Sequence, residues 1–227
     1  MSSAQDAFAD PQMVAKYAEG PPRFVPGYNA MLSMAGILLA ERVRGDGRVL
    51  VVGAGGGLEL KAFAEAQAGW SFDGVDPSAP MLALAAQTLG PLASRAQLHR
   101  GYIDDAPAGP FDGATCLLTL HFVEPAERRR MAVEVRRRLK PRAPFVVAHF
   151  SIPDGADERP LWLSRYSAYL TASGVDLDKA AAARGAVDRQ LSILAPEQDE
   201  AILREAGYSD IALFYTGFTF RGWVGYA

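Results

Sequence analysis

Uninterrupted apolar runs alternate with helical patterns along the first 150 residues. Residues 48–53 contain four consecutive aliphatic side chains, from position 49 to position 52, with no polar position between them. Such runs are typical of strands covered on both faces, as in parallel sheets. Further strands are predicted at residues 71–75, 96–100, 112–118 and 145–150, and helices at 58–68, 78–89 and 125–140. The alternation predicts an α/β fold with right-handed crossovers.

Two different patterns flank this alternating region. Before it, apolar side chains recur at helical spacing and predict an N-terminal helix through Met31, Met34, Ile37 or Leu38, and Val43. After it, residues 151–190 are predicted to be mostly helical, with stops at Pro153 and Pro160. A helix at 197–206 and strands at 211–215 and 218–226 follow. Because the last two strands are linked by a short turn near Gly217, we expect them to pair in the antiparallel direction.

Composition narrows the classes of function. The chain has 227 residues, with 23 Lys or Arg against 26 Asp or Glu, and its formal net charge is −3. No basic excess indicates broad binding to nucleic acid or to an anionic membrane. The single cysteine, Cys116, excludes a disulfide framework and a metal site built from cysteines. Apolar runs too short for a membrane span and an N-terminus without a secretory pattern predict a cytoplasmic protein.

A glycine-rich loop follows the first predicted strand. Gly53, Gly55 and Gly57 are spaced G-x-G-x-G, and Asp76 ends the second strand. Glycines let the backbone approach a ligand, and a carboxylate at the second strand end can accept hydrogen bonds from ribose hydroxyls. The alternatives are an ordinary strand-to-helix turn and an acid favoured by a helix dipole. A Rossmann loop needs a glycine where Leu58 stands, and no Gly-Lys-Ser/Thr is present, which disfavours dinucleotides and triphosphates.

Together with the order of elements and the terminal hairpin, these residues resemble the class I S-adenosylmethionine-dependent methyltransferases over residues 46–227. The resemblance implies an α/β fold with a seven-stranded, mostly parallel sheet in the order 3-2-1-4-5-7-6, strand 7 antiparallel and helices on both faces. It implies S-adenosyl-L-methionine as cofactor, S-adenosyl-L-homocysteine as product and no metal. A single domain is expected, with N-terminal helices (1–45), a cofactor-binding core (46–150), a helical insertion or lid (151–195), and a last helix with the terminal hairpin (196–227).

The same resemblance implies the cofactor-binding residues. The glycine loop would pass under the methionine portion, Asp76 would hold the ribose, and Tyr102 would lie beside the adenine. Two positions depart from the family pattern. Val51 stands where an acidic residue is frequent, and Tyr102 stands where an aspartate often receives the adenine amino group. The implied set is Gly53, Ala54, Gly55, Gly57, Asp76, Pro77, Met81, Gly101, Tyr102, Ile103, Leu118 and Thr119.

A closer resemblance is to the bacterial carboxy-S-adenosylmethionine synthases that serve tRNA wobble-uridine modification. It is carried by residues 25–28 (VPGY), 34–36 (MAG), 39–42 (LAER), 120–128 (LHFVEPAER) and 206–208 (AGY). Those enzymes use prephenate to convert the cofactor's methyl group into a carboxymethyl group. By this resemblance, Tyr28 and Arg184 fall near the added carboxylate. The glycine loop differs, since the synthases commonly carry Cys-Ser-Leu where this chain has Ala-Gly-Gly.

His121 is the candidate catalytic residue, because it follows strand four at the mouth of the sheet, where α/β folds bind ligands. An equally weighted alternative is a histidine that hydrogen-bonds the backbone. For His149, near the end of strand five, a structural role is favoured over a catalytic one. The arginines of helix 125–140 are interleaved with glutamates, which favours a solvated face over a nucleic-acid site. The candidate substrate-pocket residues are Tyr17, Arg23, Tyr28, His149, Tyr166 and Arg184.

We therefore expect a methyltransferase that acts on a small-molecule acceptor, with nucleic acid and membranes disfavoured and a homodimer left open. A carboxy-S-adenosylmethionine synthase and a non-catalytic S-adenosylmethionine-binding module are the alternatives. Methyl transfer mainly requires alignment of the reacting atoms and exclusion of water, so no compact catalytic motif is expected.

Overall fold

Seven strands form one sheet in the order β3-β2-β1-β4-β5-β7-β6, which confirms the predicted topology. The structure is a computed structural model and describes residues 20–227. The strands are β1 (Arg48–Val52), β2 (Ser71–Asp76), β3 (Ala96–Arg100), β4 (Gly113–Leu117), β5 (Pro144–Phe150), β6 (Ser209–Gly217) and β7 (Phe220–Tyr226). The first five strands pair in parallel, so their carboxyl ends meet at one edge of the sheet.

Eight α-helices lie in the described part of the chain. They are α1 (Gly20–Phe24), α2 (Tyr28–Ala40), α3 (Leu58–Ala66), α4 (Ala79–Leu89), α5 (Pro125–Arg137), α6 (Glu158–Ala172), α7 (Leu177–Gln190) and α8 (Pro196–Glu205). Short 3-10 helices lie in the connections at Gly90–Arg95, Ile103–Asp105 and Leu120–Phe122. No helix between residues 20 and 227 combines the length and apolar character that a membrane span requires.

The central strands are buried because both faces of the sheet are covered. One apolar cluster contains Val49 and Val51 with residues of α2 and α3, and the other contains Leu50 and Val52 with residues of α5 and α8. Since successive side chains of a strand point to opposite faces, the run of four aliphatic residues supplies both clusters at once. The sheet is therefore the middle layer of a three-layer fold.

The terminal hairpin closes the sheet from the side of β5. Strand β7 pairs antiparallel with β5 from Pro144 opposite Tyr226 to Phe150 opposite Phe220, and also antiparallel with β6. Strand β6 forms the outer edge, and its pairing with β7 is interrupted at two places. The predicted antiparallel hairpin is thus confirmed, and β7 lies inside the sheet although it comes last in the sequence.

Two details of the sequence prediction are wrong. Strand four is predicted to include Leu118, but β4 ends at Leu117 and Leu118 has a left-handed backbone with φ of 58°. Pro160 is predicted to stop a helix, but it lies in the first turn of α6, where the missing N–H removes no helical hydrogen bond. Of the two options for the buried face of the N-terminal helix, Leu38 packs against the core, whereas Ile37 is 65% exposed.

Candidate functional site

A cavity of about 350 Å³ opens at the carboxyl ends of β1, β2 and β4, and we call it the cofactor cavity. This volume lies in the range of small-molecule sites. Most of its wall is apolar, with a few polar side chains at the strand ends. The residues that line it are Val52, Gly53, Gly55, Val75, Asp76, Pro77, Ser78, Ala79, Pro80, Met81, Arg100, Gly101, Tyr102, Ile103, Leu117, Leu118, Thr119, Phe122, Val123 and Met131.

Ten of the twelve predicted cofactor-binding residues line this cavity, and two do not. Ala54 is buried behind the loop, and Gly57 precedes α3 in a left-handed conformation. The glycine loop therefore faces the cavity through its first two glycines. That the lining residues contact a cofactor stays a prediction.

Asp76 joins the glycine loop to the start of α4. Its Oδ2 accepts the N–H of Gly55 at 2.9 Å, and its Oδ1 accepts the N–H of Ser78 at 2.9 Å. A carboxylate offers about four lone-pair sites, so acceptor capacity remains for hydroxyl donors of a ligand. Burial raises the pKa of Asp76, and the hydrogen bonds from Ser78 and Gly55 act in the opposite direction. The geometry suits a residue that both shapes the loop and receives ribose hydroxyls.

The floor of the cavity is tightly built around Gly53 and Thr119. Gly53 has φ of 75°, and a Cβ added there would lie 2.1 Å from the Thr119 Oγ1 atom. Thr119 donates from Oγ1 to the carbonyl oxygen of Leu117 at 3.1 Å. Leu118, between Leu117 and Thr119 in the sequence, has a left-handed backbone conformation. This conformation is rare for a bulky residue and is found more often at functional sites. The close approach explains why a glycine is required at position 53.

A buried acid lies behind the glycine loop, and sequence reasoning missed it. Glu59, in the first turn of α3, is 7% exposed, and the Thr115 hydroxyl donates to its Oε1. Thr115 pairs in register with Val51, so the carboxyl group lies beside the strand position that the family often fills with an acid. Burial raises the pKa of Glu59 to about 8, although the hydrogen bond from Thr115 lowers it. Glu59 is therefore mainly protonated at neutral pH.

His121 is buried and lies outside the set of cavity-lining residues. Its Nδ1 accepts the backbone N–H of Phe150 at 3.3 Å, and its ring packs against those of Phe122 and Phe150. Burial lowers its pKa well below the usual value, with further lowering by His149 and Arg128, so the ring is neutral. Because Nδ1 accepts a hydrogen bond, the ring proton is assigned to Nε2. This geometry favours the backbone-bonding alternative, and a catalytic role stays a prediction.

A second set of polar side chains is sealed inside the protein at the ends of β5 and β7. We call Arg128, His149, Ser151, Asp199, Thr219 and Arg221 the buried polar cluster; all are at most 9% exposed. Arg128 is only 1% exposed and donates from Nη1 to Asp199 Oδ1 at 3.1 Å. It also donates from Nε to the carbonyl oxygen of Val123 at 2.8 Å and from Nη2 to that of Ser192. Arg128 thus joins the cavity wall to α8 and to the end of the insertion.

His149 belongs to the same cluster. Its Nε2 lies 3.0 Å from Asp199 Oδ1, but the angle does not satisfy a hydrogen bond, so we regard the contact as close approach only. The adjoining void measures about 10 Å³, which is the size of one water molecule and too small for a substrate. In this structure the cluster therefore links α5, α8 and the sheet, and the void beside it has no room for a substrate.

The predicted substrate-pocket residues do not meet around one cavity. Tyr28 and Tyr166 are buried in an apolar cluster, where Tyr166 contacts the rings of Phe150 and Phe220. His149 belongs to the buried polar cluster, whereas Arg23 is exposed on α1 and Arg184 is half-buried on α7. Tyr17 lies outside the described residues. The assignment of these six residues to an acceptor pocket stays a prediction.

Arg128 and Asp199 of the buried polar cluster were not predicted from the sequence, although each had a weak signal there. Arg128 stands at helical spacing with Met131, Ala132 and Val135 on the buried face of α5. Asp199 is likewise placed with Leu203 on the buried face of α8. A charged residue on an apolar face indicates a buried pair, but the partner cannot be read from spacing.

The other arginines of α5 are largely paired with acids. Arg130 forms ion pairs with Asp104 and Glu127, Arg129 with Glu205, and Arg137 and Arg138 with Glu134. These pairs match the solvated face that the interleaved glutamates indicate. No group of three or more His, Cys, Asp or Glu within residues 20–227 is arranged to hold a metal ion.

Comparison with known proteins places this geometry in a family context. The model of the family described as "Methyltransferase domain" matches residues 49–142, from β1 to the loop between α5 and β5. A carboxy-S-adenosyl-L-methionine synthase of Chromohalobacter salexigens is 26% identical over 231 residues, covering 96% of this chain and 82% of the relative. A synthase of the same name from Aeromonas hydrophila is 23% identical over 219 residues, covering 95% of this chain and 88% of that protein.

Solved structures share the fold at low sequence identity. Phosphoethanolamine N-methyltransferase 2 of Haemonchus contortus, in complex with S-adenosyl-L-methionine, has a TM-score of 0.71 and is 14% identical. Human N-acetylserotonin methyltransferase has a TM-score of 0.63 and is 15% identical. This chain is covered to 100% and 96% but spans only 60% and 57% of those two chains. The predicted class I S-adenosylmethionine-dependent methyltransferase fold is confirmed.

Proposed function

We propose that this chain is an S-adenosylmethionine-dependent methyltransferase that binds S-adenosyl-L-methionine in the cofactor cavity and transfers its methyl group to a small-molecule acceptor. The observation that carries the proposal is Asp76, which is tied to Gly55 and Ser78 and keeps acceptor capacity toward the cavity. The match of the methyltransferase-domain family model to residues 49–142 supports the cofactor.

The residues present fit this cofactor. Asp76 would receive the ribose hydroxyls, the backbone at Gly53 and Gly55 would contact the methionine portion, and the residues after β3 would face the base. When bound, the cofactor supplies a methyl carbon that its positive sulfur already activates for displacement. The chain then has to orient the acceptor in line with that carbon and exclude water, which Leu118 and Thr119 at the cavity floor are placed to do.

Calorimetric titration with S-adenosyl-L-homocysteine tests the cofactor part of the proposal. Asp76→Ala removes charge-assisted hydrogen bonds worth about 1.5–3 kcal/mol, which predicts a dissociation constant raised about 10- to 150-fold. Asp104→Ala is the matched control, because Asp104 is an exposed acid outside the cavity lining that pairs with Arg130. It is expected to bind as the native protein does. No binding of either S-adenosyl-L-methionine or S-adenosyl-L-homocysteine to native protein would sink the proposal.

A small acceptor is favoured over nucleic acid because the arginines of α5 are largely neutralised by neighbouring acids. Formation of S-adenosyl-L-homocysteine in a screen of metabolite acceptors tests this point and separates an enzyme from a non-catalytic binding module. A cytoplasmic location and a homodimer are further proposals. Cell fractionation tests the location, and the mass of the native particle in solution tests the homodimer.

The second candidate function is carboxy-S-adenosyl-L-methionine synthesis. It is favoured by the two relatives of that name, each aligned over at least 95% of this chain. Against it, Tyr28 is buried in an apolar cluster and Arg184 lies on α7, and neither lines the cofactor cavity. Mass spectrometry of the ligand released from protein purified from cells discriminates the two candidates. Recovery of unmodified cofactor alone, with no carboxylated product after prephenate is added, rejects synthase activity.

A further inference from the structure

The end of the cofactor cavity beside β3 is built differently from the end beside the glycine loop. It is formed by Arg100, Gly101, Tyr102 and Ile103, which follow one another at the end of β3, and by Met81 of α4. Tyr102 is 59% exposed and lines the cavity. Because Asp76 occupies the ribose position, a nucleoside that lies across the strand ends would place its base at this end.

The two carboxylates near this end, those of Asp104 and Asp105, lie outside the cavity lining and hold other groups. Asp104 forms two hydrogen bonds of 2.8 Å with the guanidinium of Arg130. Asp105 accepts the backbone N–H of Tyr102 at 2.9 Å through Oδ2. Among the described residues that line the cavity, the one carboxylate is that of Asp76, at the ribose position. No side-chain anion is therefore placed to accept hydrogen bonds from an amino group on the edge of the base.

The end of the cavity beside β3 presents side chains with flat or polarisable groups. Tyr102 presents an aromatic ring, Met81 a thioether, and Arg100 a guanidinium that has no ion-pair partner within residues 20–227. Aromatic rings hold purines by stacking, and the attraction tolerates changes at the purine edge because every base has a π-face. Arg and Met side chains likewise interact favourably with ring faces.

We propose that Tyr102 determines base specificity by holding the purine through its face, so that the 6-amino group contributes little to binding. The inference rests on the proposed function, because it concerns the nucleoside half of the same ligand. It predicts a site that accepts purine thionucleosides with different substituents at position 6. The backbone N–H of Tyr102, and not its side chain, holds Asp105, so substitutions of the ring leave that hydrogen bond in place.

The test compares two ligands by calorimetry on the full chain. One is S-adenosyl-L-homocysteine, and the other is its 6-deamino analogue, in which the purine carries hydrogen in place of the amino group. Native protein is expected to bind both with dissociation constants within about threefold of each other. Tyr102→Ala should weaken both equally, by about 5- to 150-fold, as expected for a lost stacking contact. Tyr102→Phe keeps the ring and should bind both as native protein does.

Tyr102→Asp supplies the carboxylate acceptor that the site lacks. This variant should favour the amino-bearing ligand over the deamino analogue by at least about tenfold, a ratio that mere loss of structure would not produce. A native preference of tenfold or more for the amino-bearing ligand overturns the inference and leaves the proposed function standing. Unchanged affinity in Tyr102→Ala overturns it as well. If native protein binds neither ligand, the proposed function fails and the inference fails with it.

Discussion

The cofactor cavity and the buried polar cluster occupy the same edge of the sheet and are filled in opposite ways. At the ends of β1, β2 and β4, a glycine loop and residues with short side chains leave about 350 Å³ open. At the ends of β5 and β7, Arg128 and Asp199 enter from α5 and α8 and leave room for about one water molecule. The polar groups of the first region are available to a ligand, whereas those of the second hold helices to the sheet.

The difference shows how one fold separates binding from stability. Asp76 keeps unused acceptor capacity, which costs little because the group remains partly in contact with solvent. Asp199 has no such contact, and its Oδ2 has no hydrogen-bond partner within residues 20–227. A buried charge in that position depends on its partner, so the two regions should respond differently to the same kind of substitution.

The largest effect is expected when the buried pair is broken. Arg128→Ala leaves Asp199 buried without its cation and should lower the free energy of unfolding by about 3–5 kcal/mol. Urea denaturation followed by circular dichroism measures this. The double variant Arg128→Met with Asp199→Leu removes both charges and should recover most of the loss. A single variant as stable as native protein would show that the cluster does not hold the helices as described.

The buried acid behind the glycine loop should give a pH-dependent effect. Glu59 has a pKa of about 8 in the folded protein against 4.5 in the unfolded chain, so the folded state binds more protons between these values. The free energy of unfolding contributed by this group therefore falls as pH rises from 4.5 to 8 and is constant above that window.

Glu59→Gln removes the ionisation and keeps an acceptor for Thr115. Compared with native protein, the variant should gain about 2–5 kcal/mol of stability at pH 9 relative to pH 5. Chemical denaturation at the two pH values measures the difference. Glu65→Gln, an exposed substitution on the same helix, should leave the difference unchanged. A pH profile identical in Glu59→Gln and native protein contradicts the assignment.

The floor of the cavity gives the next effect. Gly53→Ala forces a Cβ to within 2.1 Å of Thr119 Oγ1, in addition to the cost of a left-handed backbone. Gly27→Ala is the matched control, because Gly27 has a φ of 66° and no heavy atom within 4 Å of an added Cβ. Gly53→Ala should be less stable than the control by about 1–3 kcal/mol, the cost of overpacking. Equal thermal denaturation midpoints of Gly53→Ala and Gly27→Ala would mean that Thr119 moves away from the added Cβ without a cost in stability.

The smallest effect is expected on the outer face of α5. Arg130→Ala breaks exposed ion pairs with Asp104 and Glu127, and solvent screens such pairs so that they contribute little to stability. The free energy of unfolding should therefore change far less than in Arg128→Ala, and the dissociation constant for S-adenosyl-L-homocysteine should stay the same. A loss comparable to that of Arg128→Ala would erase the distinction between exposed and buried arginines of this helix.

The alternation of strands and helices could be predicted because β1 and β5 contain continuous apolar runs and the terminal hairpin is marked by its short turn. The order of the strands in the sheet followed from the resemblance to the class I methyltransferases and is confirmed. Half of the cavity-lining residues could be predicted too, ten of twenty, since Gly53, Gly55 and Asp76 lie in one local pattern and the others follow from the resemblance. These features depend on residues that are close in sequence or on the shared edge of a parallel sheet.

The acceptor side could not be predicted in the same way. Tyr28 and Tyr166 have the aromatic character of a pocket wall, but aromatic rings pack equally well in a core, and here they are buried. Arg128 looks like its neighbours Arg129 and Arg130, and its burial depends on Asp199, which lies 71 residues further along the chain. The left-handed backbone of Leu118 has no sequence signal, because leucine rarely adopts it.

The position of β7 has a consequence for how the chain is made. This strand pairs on one side with β5 and on the other with β6, so its residues, Phe220–Tyr226, complete the sheet between two earlier strands. A ribosome adds about 5–20 residues per second, and during synthesis the strands β1 to β5 emerge well before their last neighbour. Until residue 226 has emerged, β5 exposes an apolar edge that other chains could pair with. Chaperone protection of the nascent chain is therefore needed most between the emergence of β5 and that of β7.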